Sequence, residues 1–154
     1  MVDRARETRN AGLGRRLLAM LYDSFLVIAL FFVVSIPFVV QVGEQTLNHN
    51  PLVHALYQLV LLLSAFLFFG WFWTHGGQTL GMRAWRLRTV KSDGSPMDWP
   101  TSALRSVASI VSFACFGLGF VWILIDPEHL AWHDRVSRTR VVVEPGKDGR
   151  KKPS

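Results

Sequence analysis

Arg16 and Asp23 are the two residues of this sequence whose types and spacing best suit chemistry. They lie seven residues apart, close to two helical turns, where an apolar run begins that carries no charge from Ser24 to Gly43. An ionisable residue inside a membrane segment marks a functional site by default. Asp23 could therefore handle a proton or cation beside Arg16. The alternative is structural, with Asp23 in an ion pair or capping backbone groups at the membrane rim.

Three apolar segments surround this pair, at residues 17–42, 52–73 and 107–125. No Asp, Glu, Lys or Arg occurs between Glu44 and Arg83. As a helix, the 22 residues from 52 to 73 would be about 33 Å long, enough to cross a hydrocarbon core of about 30 Å. The sequence therefore predicts an all-α membrane protein with two transmembrane helices.

The third apolar segment is distinguished by its glycines and by the charges that follow it. Five Lys and Arg residues precede the first segment, none lies in residues 43–51, five lie in the second connection, and seven follow the third segment. The positive-inside rule then places the N-terminus and the second connection in the cytoplasm. A re-entrant helix pair broken at Gly117 and Gly119 keeps the last seven there too. We favour it over a straight third span, which remains the alternative.

Two short strands are predicted outside the membrane segments. Residues 85–90 alternate apolar and polar side chains before an Asp93-Gly94 turn, and residues 139–143 are a second candidate. We expect them to pair on the cytoplasmic side. A short helix is predicted from Pro127 to about Asp134, with Asp126 as its N-cap. We find no internal repeat in the sequence.

Domain boundaries follow from charge and composition. Residues 1–11 form a basic cytoplasmic N-terminus, residues 12–143 the membrane domain, and residues 144–154 a disordered basic tail.

Few other residues suggest chemistry. His129 and His133 are four apart and could share a helical face, which makes them candidates for a metal site, although a structural histidine pair is the simpler interpretation. Cys115 is the only cysteine, and no nucleophile or cofactor motif is present. We expect no enzyme activity and no cofactor. Although the net charge is +6, the basic residues flank the apolar segments, so we do not expect nucleic-acid binding.

Three stretches together resemble the RDD family of small bacterial membrane proteins. They are RRLLAMLYDSF at the first apolar segment, WTHGGQTLGMRAWRLRTVKSDG in the connector, and GLGFVWILIDPEHLAWHDRVSRT near the end. The family is named for one arginine and two aspartates, and the resemblance, over residues 12–143, assigns these to Arg16, Asp23 and Asp134.

The resemblance implies a multi-pass protein of the bacterial cytoplasmic (inner) membrane with a transport-related role, since some members are reported as sodium/proton antiporters. Na⁺ or H⁺ would then be the species handled, with Arg16 and Asp23 as the pair that handles it. The alternative is a non-catalytic scaffold or assembly factor in which these charges are structural. A chain this small needs a second copy or a partner membrane protein to enclose a pathway, and its basic residues suit anionic lipid headgroups.

The same-side placement of Arg16 and Asp134 leads to a further expectation. If the tail is cytoplasmic, both carboxylates could bridge the one arginine and close the helix after Asp126 onto the first apolar segment.

Overall fold

The chain is mostly helical, with two long helices joined at one end. The structure is a computed structural model that describes residues 9–144, apart from the side chains of Glu44 and Asn48. Helix α1 (Leu13–Val42) and helix α3 (Pro51–Thr74) are each long and apolar enough to cross a membrane, and the short helix α2 (Glu44–His49) connects them. These are the two transmembrane helices that the sequence predicts.

Local signals set the ends of these helices. Gly43 ends α1 with a φ of 79°, a conformation that favours glycine. The Asn50 side chain then accepts hydrogen bonds from the backbone N–H groups of Leu52 and Val53, and Pro51 occupies the first position of α3. Between α1 and α3, the Ser35 and Tyr57 hydroxyls hydrogen-bond at 2.7 Å. The two helices therefore form a hairpin.

The third apolar region is a bent helix pair. Helix α5 (Trp99–Ala114) is followed by helix α6 (Leu118–Val121) and a 3₁₀ turn (Trp122–Leu124), with a bend of 105° between them. Gly117, at a φ of 73°, lies at the bend and confirms the predicted break. The pair begins before the predicted residue 107, because Asp98 caps α5 by accepting from the Thr101 N–H.

A two-stranded sheet joins the segment that precedes this bent pair to the segment that follows it. Strand β1 (Leu87–Lys91) is antiparallel to strand β2 (Thr139–Val143), with Thr89 opposite Val141. Residues 9–11 run along β2, where the Ala11 N–H donates to the Val141 carbonyl at 2.8 Å. Since β1 precedes the bent pair and β2 follows it, the two ends of the pair lie close together. The predicted re-entrant arrangement requires this proximity.

Two local predictions need correction. The predicted helix from Pro127 is wrong, because the Asp126 carboxylate accepts from the Leu130 N–H at 2.8 Å and closes a turn instead. Helix α7 runs only over Trp132–Val136. The strand predicted at 85–90 begins at Leu87 in the structure, two residues later, because residues 85 and 86 form the turn that follows helix α4 (Leu80–Ala84). The first eight residues of the predicted basic N-terminus lie outside the described residues. So does the predicted tail at 144–154, except for Glu144.

An internal repeat is present, although the sequence analysis found none. The α4–β1 unit and the α7–β2 unit are each a five-residue helix, a linker that ends in an arginine with positive φ, and a five-residue strand. Every element of the second unit lies 52 residues after its counterpart, as Arg138 does after Arg86. Helix α1 packs on α4 much as α5 packs on α7. The opposed pair Thr89 and Val141 obeys the same offset, so the two strands pair symmetrically about these two residues.

Cysteine labelling tests whether the segments before and after the bent pair lie on the same face of the membrane. In a Cys115→Ser background, single cysteines at positions 9 and 144 should react alike with a membrane-impermeant maleimide. A cysteine at position 45, in α2, should react from the opposite side. Labelling of positions 9 and 144 from different sides would contradict the re-entrant arrangement.

Candidate functional site

Arg16 lies in the first turns of α1 and is 5% exposed. Its Nε donates to the Ala11 carbonyl at 2.9 Å, and its Nη2 donates to the His129 carbonyl at 3.1 Å. Its Nη1 donates to Oδ2 of Asp134 at 2.5 Å. Each nitrogen of this guanidinium therefore has an acceptor, and Arg16 ties the head of α1 to the segment around α7.

Asp134, in α7, is fully buried and joins two arginines. Its Oδ2 also accepts from the Ala131 N–H at 3.0 Å, and its Oδ1 accepts from Nη1 of Arg105 at 2.5 Å. Burial raises the pKa of Asp134, but the guanidiniums of Arg105 and Arg16 lower it by more, so the pKa lies well below its usual range. Asp134 is therefore an ionised carboxylate shared by two cations.

This arrangement reverses the predicted bridge. We expected one arginine between two carboxylates, and the structure has one carboxylate between two arginines. The prediction was wrong because Asp23, two turns along α1, lies against α4 instead of α7. It was right that Arg16 meets Asp134 and that this contact closes the α7 segment onto the first helix.

Arg105 is the member of the cluster that the sequence analysis missed. It is 4% exposed, and its Nη1 also donates to the Thr139 hydroxyl at 2.5 Å. Its Cζ lies 5.2 Å from the centroid of the Trp73 ring. A signal was present in the sequence, since Arg105 is the single charged residue within α5. We had counted it only as a flanking charge.

Asp23 forms a separate site with α4. Its Oδ2 accepts from the Thr79 hydroxyl at 2.5 Å, and its Oδ1 accepts from the Gly81 N–H at 2.9 Å. A Cβ at Gly81 would lie 2.9 Å from the Asp23 carboxyl carbon, so glycine is needed for this approach. Within residues 9–144 no hydrogen bond or ion pair joins Asp23 to Arg16. The two residues have different partners, and Asp23 does cap a backbone group.

The two candidate histidines have separate surroundings. His129 Nδ1 lies 3.2 Å from the Ile123 carbonyl oxygen, and the His133 ring packs 4.7 Å from the Phe120 ring centroid. Burial, with the nearby Arg105 guanidinium, lowers the pKa of His133 to about 3. No group of three or more potential metal ligands occurs among the residues that the structure describes.

Fold and site together define a class: a helical membrane protein with two transmembrane helices, a bent third pair and a buried Arg–Asp–Arg cluster at their junction. Comparison with known families then identifies it more closely. The sequence profile of the RDD family matches residues 10–138, and the chain belongs to that family. This confirms the resemblance inferred from the three motifs. No curated protein and no solved structure matches the chain.

Replacing Asp134 by Asn should destabilise the protein strongly. The change leaves two buried guanidiniums without a counter-charge, and breaking a buried pair in this way typically costs about 3–5 kcal/mol. The measurement is the thermal unfolding midpoint of purified protein in detergent. Glu144→Gln, which removes an exposed ion pair with Arg88, is the control and should change the midpoint little. Equal losses in the two variants would contradict a central role for Asp134.

His133 should make stability depend on pH. An unfolded histidine takes up a proton below about pH 6.5, whereas folded His133 stays neutral down to about pH 3. Protons therefore favour the unfolded chain, and stability falls as pH drops through this window, by at most about 1.4 kcal/mol per pH unit. Unfolding midpoints between pH 7 and pH 5 measure the effect. His133→Gln should flatten this slope, and the exposed control His75→Gln should keep it.

Proposed function

We propose that this chain is a non-catalytic membrane module whose Arg/Asp set is structural and which scaffolds or assembles other membrane proteins. The observation that carries this proposal is the bonding of Asp134. Both of its oxygens are already occupied by guanidinium and backbone donors, and the residue is fully buried. A carboxylate in this state is poorly suited to releasing and rebinding an ion. It is well suited to holding α1, α5 and α7 in one arrangement.

The proposed setting is the bacterial cytoplasmic membrane with the N-terminus inside. The excess of Lys and Arg outside the apolar segments supports this orientation. Three exposed arginines of the two repeated units that flank the sheet have no ion pair among the described residues: Arg83, Arg86 and Arg138. On the cytoplasmic face they could contact anionic lipid headgroups, each contributing about 1 kcal/mol near such a surface.

Partner helices would dock on the outward faces of α1 and α3. These faces carry large exposed apolar side chains, including Phe25, Phe32 and Leu62. Lipid covers such faces as readily as protein does, so packing and small residues decide which helices associate. A second copy of the chain or another membrane protein is the partner that this proposal requires.

Ion transport is the second candidate, and one observation favours it. Asp23 is 5% exposed in a helix long enough to span a membrane, and its bonded donors are the neutral Thr79 hydroxyl and Gly81 amide. A carboxylate held only by neutral donors can accept a proton or Na⁺ without first breaking an ion pair. In this function Asp23 handles the ion. Arg16 is bonded to Asp134 and, within the described residues, has no hydrogen bond or ion pair with Asp23.

Replacing Asp23 by Asn separates the two candidates. If Asp23 is structural, the variant should accumulate to a lower level and unfold at a lower temperature, because an amide presents one acceptor where the carboxylate presents two. Loss of one buried hydrogen bond to a charged group typically costs about 1.5–3 kcal/mol. Membrane abundance and proton or sodium flux in reconstituted vesicles are measured on the same preparations.

Ser24→Ala is the matched control, since its hydroxyl bonds only within its own helix turn. Normal abundance and stability of the Asp23 variant, with ion flux abolished, would contradict the structural proposal and favour transport.

A further inference from the structure

Helix α5 has its polar face turned inward. Ser102, Arg105 and Ser112 are each at most 4% exposed, whereas Val107, Ile110 and Phe113 are at least 60% exposed. Spacings of three and seven residues place the polar three on one side of the helix. An apolar outer face suits lipid, but polar groups facing inward in a membrane segment need partners there.

Several of these inward polar atoms have no partner. Among the described residues, four buried atoms around Arg105 lack any hydrogen bond: Trp73 Nε1, Ser102 Oγ, Arg105 Nε and His133 Nδ1. Two of them, on Trp73 and Arg105, can only donate, and the serine hydroxyl can also donate. Leaving buried donors unsatisfied is costly, so each such group requires an explanation.

These four side chains occupy neighbouring positions in the fold. The Arg105 guanidinium lies over the Trp73 ring at 5.2 Å, and Ser102 is one helical turn before Arg105. His133 precedes Asp134, whose Oδ1 lies 2.5 Å from Arg105 Nη1 and 3.7 Å from His133 Nε2. The unpartnered atoms thus lie on α3, α5 and α7, and the three donors among them lie on α3 and α5.

The charges at this junction do not balance. Arg16 and Arg105 contribute two positive charges, and Asp134 is the one acidic residue among the described residues that pairs with them. His133 adds no compensation, since its low pKa keeps it neutral near pH 7. Within residues 9–144, one buried positive charge is left without a counter-charge, and such a charge is expensive to keep away from water.

We infer that the junction of α3, α5 and α7 binds one small monovalent anion, such as a halide, through Arg105 Nε, Trp73 Nε1 and the Ser102 hydroxyl. A single negative charge offsets the excess, and a spherical acceptor can take hydrogen bonds from the three donors of α3 and α5 at once. Two guanidiniums repel a cation. A water molecule would satisfy the donors but leave the charge uncompensated. The anion does not depend on the proposed scaffold function, and it would hold the junction in either candidate function.

Chloride-dependent unfolding tests this site. Full-length protein in detergent is heated at pH 7.5 and constant ionic strength, with chloride replacing gluconate stepwise. A ligand that binds the folded state raises the unfolding midpoint with its concentration. The wild-type midpoint should rise with chloride and level off at saturation.

Two conservative substitutions remove donors while keeping the packing. Trp73→Phe retains a ring beneath Arg105 but lacks the indole N–H, and Ser102→Ala lacks only the hydroxyl. The double variant should need at least about tenfold more chloride for half of the effect, because a hydrogen bond to a charged group is worth about that factor or more. Trp71→Phe, on an exposed tryptophan of α3, is the control and should respond as wild type does.

Either of two results would overturn the inference. One is a wild-type midpoint that does not change between chloride and gluconate. The other is a chloride response that the double variant retains in full, which would indicate a general salt effect. This experiment leaves Asp23 unchanged, so a negative result does not affect the scaffold and transport proposals.

Discussion

The buried contact of one carboxylate with two guanidiniums is the interaction on which the structure depends. Asp134 links the start of α1 through Arg16 to the middle of α5 through Arg105, and α7 supplies the carboxylate. Charges are costly to bury, and their attraction compensates only where the geometry satisfies every donor and acceptor. Asp134 meets this condition through three hydrogen bonds, two from the guanidiniums of Arg16 and Arg105 and one from the backbone of Ala131. The three elements cannot separate without exposing a buried charge.

Placement of this cluster explains the shape of the bent pair. An ordinary third span would carry residues 126–143 to the opposite face, where Asp134 could not reach Arg16. The 105° bend after α5 and the pairing of β1 with β2 bring the chain back. Backbone that leaves the helical path near a membrane must be covered by protein. Here α5 packs against α3 of the hairpin, whereas Phe116, at the break itself, is exposed in the single chain.

Charge counting and hydropathy were sufficient to predict the two long helices, the break at Gly117 and the sheet of residues 139–143. These features depend on the membrane as solvent and on local backbone preference, which a single sequence records.

The partners of each charge were harder to predict. Helical spacing suggested Arg16 with Asp23, but two residues on one helix face often bind different neighbours, and here α4 and α7 supply them. Arg105 was missed because a flanking arginine and a buried one look alike without tertiary contacts. The turn at Asp126 was mistaken for a helix start because capping and turn closure use the same side-chain chemistry.

The 52-residue relation between the α4–β1 and α7–β2 units has a consequence for the kind of contact they make. In a symmetric dimer the same surface patch meets itself, and a strand that pairs antiparallel with its own copy is the simplest such contact. The pair Thr89 and Val141 occupies the position that the symmetry axis of such a dimer would take. Within one chain, the contact between the two units therefore has the isologous form that is typical of an interface between identical subunits.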